Sequence, residues 1–382
     1  MRTALVHDWL TGMRGGEKVL EALCELYPDA DILTLVHRRG SVSAAIEGHH
    51  IATSFIQRMP LATTHYRRYL PLFPFAIEQL DLDPYELVIS SSHCVAKAVV
   101  APGRARHLCY CHSPMRYAWD QFDAYFGPER VGALASRWFY RPMLARLARW
   151  DASTAHRVHR FLANSQFIAG RIRRYYNRDS TVVYPPVDTA FFHPLSAPDP
   201  ADSIAQRRGE SRSDFLVVSA LVPYKRIELA IDACARAGAR LRIIGDGPDR
   251  VALERRAGPS IEFLGSCSNE RIRDEYRAAS AVILPGEEDF GIVPVEAQAC
   301  GTPVVALGRG GACETVVDGD TGILVTEATA EAFAGALSRA ASTRWDAARI
   351  RTNAERFSRQ RHLDALACAV NEMMAAPAGT RW

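Results

Sequence analysis

The sequence predicts an α/β protein of two domains, each a parallel sheet covered by helices on both faces. With 382 residues the chain is too long for one compact core. Strand-like and helical segments alternate along almost the whole chain, which is typical of parallel sheets with helical crossovers. A stretch at 196–212, rich in Pro, Ser, Asp and Arg, interrupts this alternation. We therefore expect domains at 1–195 and 213–358 with a flexible connection between them.

The first domain is expected to begin with a strand in TALVHDW, followed by a glycine loop and a helix in TGMRGGEKVLEALCELYP. Five more short buried strands are predicted in DILTLVH, ELVISSS, RHLCYCH, RFLANS and TVVYPP. Most of them end in small, polar or histidine residues, as strands do when their carboxyl ends face a ligand crevice.

The second domain is expected to contain six strands, in DFLVVSALV, LRIIGDG, IEFLG, AVILPG, PVVAL and GILV. Helices are predicted between them at 226–237, 249–257, 269–279 and 293–300. Three helical segments close the chain, the last at about 359–375.

Composition excludes several classes of protein. The net charge of +3 is too small for a general nucleic-acid binder. No apolar run reaches the roughly 18 residues of a membrane span, and the first residues do not resemble a signal peptide, so we expect a cytoplasmic protein. The nine cysteines form no C-x-x-C pair, which favours reduced core thiols over a metal site.

The strongest chemical signal is the segment LPGEEDFGIVPVEAQACGTPVVAL at 284–307. A buried strand is followed by a loop with Glu288, Phe290 and Gly291, and a helix is expected to begin near Pro294, because proline is favoured at the first helical position. Glu296 would then lie in the first turn. Gly291 would let the backbone approach a ligand closely.

The amino end of that helix suits a diphosphate, because its backbone amides, near Ile292, lack intrahelical acceptors. Glu296 would repel a phosphate, so its expected partner is a pair of vicinal hydroxyls such as a ribose. Glu288 lies in the loop where an attached sugar ring would sit. Each of these features, taken alone, has an alternative interpretation: an acidic residue near the amino end of a helix that only stabilises the helix.

The 284–307 segment resembles the E-x7-E signature of the retaining glycosyltransferases of family 4. GGEKVLEAL, FLANSQFI, VVYPPVD, SALVPYKRIELAI and IIGDGP occur in the family's order. The resemblance implies the GT-B fold, two Rossmann-like domains whose sheets face each other across a cleft. It also implies that the donor binds mainly to the second domain and the acceptor to the first, and that the final helix, 359–382, crosses back to the first domain.

The resemblance also assigns roles to residues of the second domain. Glu296 is similar to the glutamate that binds the ribose, and Glu288 to the glutamate that contacts the donor sugar, beside the backbone at Phe290, Gly291 and Ile292. Lys225 matches the phosphate-binding lysine. Many relatives carry an arginine where this chain has Ala220, so either Arg226 supplies the second positive charge or the phosphate clamp is weaker.

In the first domain, His112 follows a buried strand, and the resemblance implies that it contacts the donor sugar; a capping role is the alternative. Gly15 and Gly16 open the first helix, where they suit close approach to the donor or form an ordinary tight turn. Arg116, Tyr117 and Trp119 are expected on the acceptor side.

The resemblance implies transfer with retention, and no D-x-D element stands at a strand end to hold a divalent metal. No cofactor is expected besides the nucleotide-sugar co-substrate. The chain is similar to the bacterial polysaccharide mannosyltransferase branch, which implies GDP-mannose as donor and a saccharide or polyprenyl-diphosphate-linked saccharide as acceptor. Other GDP- or UDP-sugars, an epimerase or hydrolase of the same fold, and a non-catalytic subunit remain alternatives. A dehydrogenase is disfavoured because GDGPDR lacks the third glycine.

Two stretches combine basic and aromatic residues, at 65–77 and 137–150. Cationic and aromatic groups suit the headgroup zone of a bilayer, so peripheral association with the cytoplasmic membrane is one interpretation. Ordinary packing with solvated arginines is the other.

Overall fold

The computed structural model describes residues 1–195, 214–377, 379, 380 and 382. The chain forms two compact units. The first consists of Met1–Pro186 and Gln360–Trp382, and the second of Val187–Arg359. The predicted connection at 196–212 lies outside the described residues.

The first unit ends earlier in the chain than the sequence predicts, at Pro186 instead of 195. Hydrogen bonds hold the intervening residues to the second unit. The Val187 amide donates to the Phe357 carbonyl at 3.1 Å. The guanidinium of Arg351 donates to the carbonyls of Thr189 and Phe192, both at 3.1 Å. Such long-range pairing is not visible in the local sequence pattern.

The first unit contains one parallel sheet of seven strands in the order β3-β2-β1-β4-β5-β6-β7. The chain therefore reverses its winding direction between β1 and β4, which is where such sheets bind ligands. The strands are β1 Thr3–His7, β2 Asp31–Thr34, β3 Ile51–Thr53, β4 Leu87–Ser92, β5 Arg106–Cys111, β6 Arg160–Ala163 and β7 Thr181–Val182.

The α-helices of the first unit that precede the second unit in the chain are α1 Gly15–Leu26, α2 Ala44–Glu47, α3 Ala62–His65, α4 Phe73–Glu78, α5 Arg116–Trp119, α6 Phe122–Phe126, α7 Pro128–Val131, α8 Ala133–Ala135, α9 Arg141–Ser153 and α10 Gln166–Tyr176. A π-helical turn at Ser136–Tyr140 joins α8 to α9. Short 3-10 turns lie at Phe55–Arg58, Tyr66–Leu72, Ala96–Ala98 and Thr154–Arg157.

The second unit contains a parallel sheet of six strands in the order β10-β9-β8-β11-β12-β13, with its switch point between β8 and β11. The strands are β8 Asp214–Val218, β9 Arg240–Ile244, β10 Ile261–Gly265, β11 Ala281–Leu284, β12 Val304–Leu307 and β13 Gly322–Val325. The predicted α/β class with two parallel, Rossmann-like sheets is confirmed.

The helices of the second unit are α11 Ile227–Ala237, α12 Arg250–Arg256, α13 Asn269–Ala278, α14 Ile292–Ala299, α15 Ala312–Thr315, α16 Ala330–Ser342 and α17 Ala347–Ala354. Short 3-10 turns lie at Pro223–Lys225 and Glu355–Phe357. Most helices pack one apolar face on the sheet, and the core includes Phe215, Ile231, Ile243, Ile283 and Phe333.

The final helix, α18 at Arg359–Ala375, returns to the first unit as predicted. Its apolar face is buried among side chains of the first sheet and of α1. Arg160 of β6 fixes the far end, because its guanidinium donates to the Ala369 carbonyl and to Glu372, both at 2.8 Å. The buried residues of α18 in this cluster are Leu366, Ala369, Val370 and Met373.

Across the described ranges, every helix is too short or too polar to cross a bilayer.

Candidate functional site

Polar side chains of the first unit gather at the carboxyl ends of β1, β4 and β5, beside the switch point. His7 is the last residue of β1 and pairs in register with Ser91 of β4. His112 follows β5 directly, and its amide donates to the Ser92 carbonyl at 2.8 Å. The parallel sheet thus brings residues from three distant parts of the chain to one edge.

A chain of polar contacts runs through this edge to Glu17 of α1. Nε2 of His112 lies 2.8 Å from the Ser91 hydroxyl oxygen, which lies 3.1 Å from Nδ1 of His7. Nε2 of His7 is 3.7 Å from the Glu17 carboxylate, an ion-pair distance. Glu17 also accepts a hydrogen bond from the Arg14 amide at 3.0 Å. Each side chain therefore fixes the orientation of the next.

Gly16 of α1 lies against both imidazole rings. A Cβ at this position would sit 3.4 Å from His7 and 3.6 Å from His112. A larger side chain would therefore occupy the space in front of the two rings. Gly15 is the first residue of the same helix. The structure thus brings the predicted Gly16 and His112 together.

Burial controls the protonation of the histidines. The pKa of His112 is held well below its ordinary value by desolvation, reinforced by the nearby His93 and His7, so its imidazole is neutral at neutral pH. Desolvation also lowers the pKa of His93. Burial acts to raise the pKa of Glu17, but the contact with His7 and its charge outweigh it, and the net shift is downward.

Asp8 is a structural element of this edge that sequence reasoning missed. Its buried carboxylate accepts hydrogen bonds from four consecutive backbone amides, at 2.6–3.0 Å, and lies 3.1 Å from Nδ1 of His93. The four amides belong to residues 93–96. This carboxylate holds the loop after β4 in place, and the only local signal was an acidic residue directly after a buried strand.

The residues predicted on the acceptor side lie in α5. The Tyr117 hydroxyl lies 2.7 Å from the Cys94 sulfur. The Trp119 indole donates to Asp151 at 2.8 Å and stacks on Tyr175, with ring centroids 4.6 Å apart. These polar atoms of Tyr117 and Trp119 thus already have partners within the unit. Arg116 is the first residue of α5.

In the second unit, Lys225 and Glu288 meet at the switch point between β8 and β11. The Lys225 ammonium donates a hydrogen bond to the Glu288 carboxylate. Both side chains retain some exposure, 16% and 14%. The pair therefore remains accessible to a ligand. When no ligand is bound, each of the two charges compensates the other.

Gly286 permits this meeting. A Cβ at residue 286 would lie 2.7 Å from the Tyr224 carbonyl oxygen and 2.9 Å from Cα of Lys225, closer than side chains and backbone approach. Only glycine therefore lets the loop after β11 pass so near the lysine. The sequence offered a signal for this role, a glycine directly after LP at the strand end.

The helix after the E-x7-E loop begins earlier than predicted. Gly291, with φ of 87°, precedes α14, whose first residue is Ile292. Pro294 is therefore the third helical residue, and the expectation that it is the first is wrong. Glu296 lies in the second turn, not the first, so its predicted place in the first turn is also wrong.

Proline fits the third position because the first four amides of a helix have no intrahelical acceptor. The open amides at this end belong to Ile292 and Val293, since proline has none. Gly301 follows the helix with φ of 77°, as expected for a residue just past a helix end.

Glu296 and Phe290 are anchored inside the unit. The Glu296 carboxylate is buried and accepts a hydrogen bond from the Tyr276 hydroxyl at 3.1 Å. Desolvation, reinforced by this carboxylate, holds the pKa of Tyr276 well above its ordinary value, so the tyrosine remains a donor. The Phe290 ring is buried against Phe357, with centroids 5.4 Å apart. Residue 290 can therefore offer only its backbone to a ligand.

Arg226 follows Lys225 with a left-handed backbone, φ 54°. Its guanidinium lies 3.4 Å from the Ala328 carbonyl and 3.9 Å from Glu228. These partners lie ahead of α16 and in α11, whereas Lys225 binds Glu288. The structure thus assigns the two adjacent basic side chains to different partners.

Two family models match the chain. The model described as Glycosyltransferase Family 4 matches residues 13–191, and the model described as Glycosyl transferases group 1 matches residues 200–357. The chain is thus similar to glycosyltransferases in both of its units. The E-x7-E loop and Lys225 fall within the second matched region.

Solved structures share the fold. Alr3699/HepE from Anabaena, crystallised with UDP, aligns with a TM-score of 0.69 at 20% identity, and the alignment covers 97% of this chain and 100% of that chain. The lipopolysaccharide outer core galactosyltransferase WaaB aligns with a TM-score of 0.65 at 17% identity, covering 97% and 99% of the two chains.

Curated relatives include the D-inositol 3-phosphate glycosyltransferase of Rhodococcus erythropolis, 34% identical over 54% of this chain and 52% of its own length. The enzyme of the same name from Kribbella flavida is 35% identical over 48% of each chain. The chain thus spans about half the length of the curated relatives it matches.

Proposed function

We propose that this protein is a glycosyltransferase that transfers mannose from GDP-mannose to a saccharide or lipid-linked saccharide acceptor of bacterial surface polysaccharide, with retention and without a divalent metal. The observation that carries the proposal is the Lys225–Glu288 pair beside the amino end of α14. A cation, a carboxylate and open backbone amides suit the phosphate, sugar hydroxyl and diphosphate parts of one ligand.

Each residue of the second unit takes one part of the donor. The Lys225 ammonium binds the diphosphate, and the amides of Ile292 and Val293 bind its other oxygens. Glu288, released from the lysine, accepts hydrogen bonds from the sugar hydroxyls beside the backbone of Phe290 and Gly291. Glu296, positioned by its hydrogen bond from Tyr276, binds the ribose hydroxyls.

His112 is assigned to the donor sugar. Because its pKa is lowered by burial, the imidazole is neutral and has one donor and one acceptor nitrogen. Nε2 is held by Ser91, which fixes the ring. A neutral ring binds a sugar hydroxyl without attracting a competing anion.

In the proposed reaction, the bond between the anomeric carbon and the diphosphate oxygen breaks as the acceptor oxygen forms its bond on the same face. The acceptor proton passes to the departing phosphate oxygen. Lys225 and the helix amides stabilise the negative charge that develops there. A covalent glycosyl adduct on Glu288, trapped and identified by mass spectrometry, would replace this same-face mechanism with a double displacement.

The donor assignment is tested by thermal-shift measurements with GDP, UDP, ADP and dTDP, since a ligand that binds only the folded state raises the melting midpoint. GDP should give the largest shift. A shift with UDP alone would replace GDP-mannose with a UDP-sugar; Alr3699/HepE is known in complex with UDP-glucose.

The reaction class is tested by incubating the enzyme with GDP-mannose, with and without acceptor saccharides. Inositol phosphate belongs among the acceptors tested, because the curated relatives are named for it. Formation of a glycoside with retained configuration supports the proposal. Release of free mannose, or of an epimerised nucleotide sugar in the absence of acceptor, would assign a hydrolase or an epimerase instead.

A further inference from the structure

Three large apolar side chains of the first unit stand in solvent on one short helical segment. Leu134 of α8 is 78% exposed, and Trp138 and Phe139 of the following π-helical turn are 69% and 57% exposed. Large apolar side chains are usually buried, and a cluster of exposed ones marks an interaction surface.

The segment is anchored by its opposite face. Ser136 is buried, and farther along α9 the side chains of Leu144, Leu147 and Ala148 are buried in or against the first unit. Leu134 and Trp138 lie four residues apart, so they share the outward face of the helical segment. The exposed aromatic groups are therefore presented by a fixed element.

Positive charge surrounds these apolar groups. Between residues 130 and 150 the sequence carries five arginines and no acidic residue. The Arg137 guanidinium lies over the Trp138 ring, 5.3 Å from its centroid. The Arg141 side chain is 63% exposed and lies 3.5 Å from the exposed carboxylate of Asp123, so the other arginines carry the net charge. The five are Arg130, Arg137, Arg141, Arg146 and Arg149.

The second basic-aromatic stretch, 65–77, packs against the same helical segment. Leu70 and Phe73 share a buried cluster with Leu144 and Leu147 of α9. The Trp150 indole at the far end of α9 donates at 3.1 Å to Glu78, the residue that follows the stretch. Phe75 of α4 is 58% exposed, and Arg67 and Arg68 are also exposed. The fold thus places the two stretches in contact within one unit.

We propose that the exposed face formed by Leu134, Arg137, Trp138, Phe139 and Arg141, here called the arginine–aromatic face, docks on an anionic lipid bilayer. Tryptophan and phenylalanine side chains enter the boundary between headgroups and acyl chains, while guanidinium groups bind lipid phosphates. Net positive charge on the face is complementary to an anionic membrane. In a symmetric pairing of two copies, two faces of the same positive charge would meet and repel.

This docking does not depend on which sugar is transferred, so it is tested by binding alone. The full chain is sedimented with vesicles of phosphatidylglycerol and phosphatidylethanolamine, and in parallel with vesicles of phosphatidylcholine. Binding to the anionic vesicles that weakens as salt is added is the expected result. No sedimentation with anionic vesicles would overturn the proposal.

Two paired variants locate the surface. Leu134→Ser with Trp138→Ser should weaken vesicle binding by about tenfold, because the inserted apolar area is lost. Arg137→Gln with Arg141→Gln should weaken it by a similar factor, about tenfold, through lost attraction to anionic lipid. The matched control in the second unit is Val251→Ser with Arg255→Gln, two exposed residues of α12, and it should bind like the parent.

Tryptophan fluorescence gives an independent readout. Phosphatidylglycerol with brominated acyl chains should quench the parent protein, and Trp138→Phe should keep binding while losing most of the quenching. Melting midpoints equal to that of the parent confirm that the variants are folded. Unchanged vesicle binding in both paired variants would contradict the assignment. The face would instead bind a second copy of the chain under two conditions. The parent would form a concentration-dependent dimer without binding vesicles, and the Leu134→Ser and Trp138→Ser variant would lose that dimer.

Discussion

Lys225 and Glu288 lie 63 residues apart in the sequence and are joined by a hydrogen bond from the ammonium to the carboxylate. Each neutralises the other at the switch point of the second sheet. A bound diphosphate would take over the ammonium, and the freed carboxylate could then accept from a sugar hydroxyl. The pair thus links phosphate binding to sugar binding in the proposed donor site.

Lys225→Ala should weaken binding of GDP by roughly 10- to 100-fold while changing binding of guanosine little, because a charge-assisted phosphate contact is lost. Isothermal titration with both ligands checks this. Arg226→Gln is the matched control, since that guanidinium contacts Ala328 and Glu228 instead. An equal loss of affinity for GDP and guanosine in Lys225→Ala would rule out the phosphate role.

Glu296→Gln should raise the donor KM by about tenfold, because a charged acceptor for the ribose hydroxyls is lost. Tyr276→Phe removes one internal hydrogen bond to the same carboxylate and should change KM by less than about threefold. Steady-state kinetics with varied donor compare the two. If Tyr276→Phe has the larger effect on KM, Glu296 stabilises the interior of the unit and does not bind the ligand.

His112→Ala should lower kcat on the order of a hundredfold with little change in GDP affinity, because a contact that positions the donor sugar is lost. Ser91→Ala should act in the same direction but less, since Ser91 positions the ring through Nε2. Ser90→Ala is the control, because Ser90 contacts His107 instead. A fall in GDP affinity equal to the fall in kcat would contradict this division.

Stability should decrease as the pH is lowered below about 6.5, because burial lowers the pKa of His107 to about 3 from its ordinary value of 6.5. The unfolded state binds a proton in this window and the folded state does not, so protonation favours unfolding. The contribution of neutral His107 to the free energy of unfolding is fully present above about pH 6.5. It is lost progressively as the pH falls toward about 3. His107→Gln should flatten the dependence of the melting midpoint on pH, whereas His65→Gln at an exposed site should not.

Chelation of divalent metal should leave the initial rate of transfer unchanged within about twofold, because Lys225 and the α14 amides stabilise the leaving diphosphate in the proposed mechanism. The rate is measured in EDTA and again after Mg²⁺ or Mn²⁺ is restored. A rate that collapses in EDTA and recovers with either ion would show that a metal carries this charge.

The local pattern predicted the strands well and the helix start in the E-x7-E segment poorly. The strands Ile261–Gly265 and Gly322–Val325 have their predicted bounds, because short apolar runs with clear breaks define them. The start of α14 was misplaced because the preference for proline at the first position is statistical, whereas Gly291 at positive φ opened the helix two residues earlier.

Contacts between distant segments could not be predicted from the sequence. Asp8 binds the amides of residues 93–96, and no residue near Asp8 in the chain indicates that partner. Lys97 is similar: its ammonium is buried 3.0 Å from Asp151 and from the Thr154 hydroxyl. The fold alone brings these groups together, so a single sequence could mark them only as charged residues.

The return of α18 to the first unit has a consequence for biosynthesis. All of Val187–Arg359 leaves the ribosome before the helix whose Leu366 and Val370 fill the core beside β1 and α1. The contiguous second unit can therefore fold while the first still exposes the apolar groove that α18 will cover. Completion of the first unit must therefore await translation of α18, and until then the apolar groove beside β1 and α1 stays uncovered.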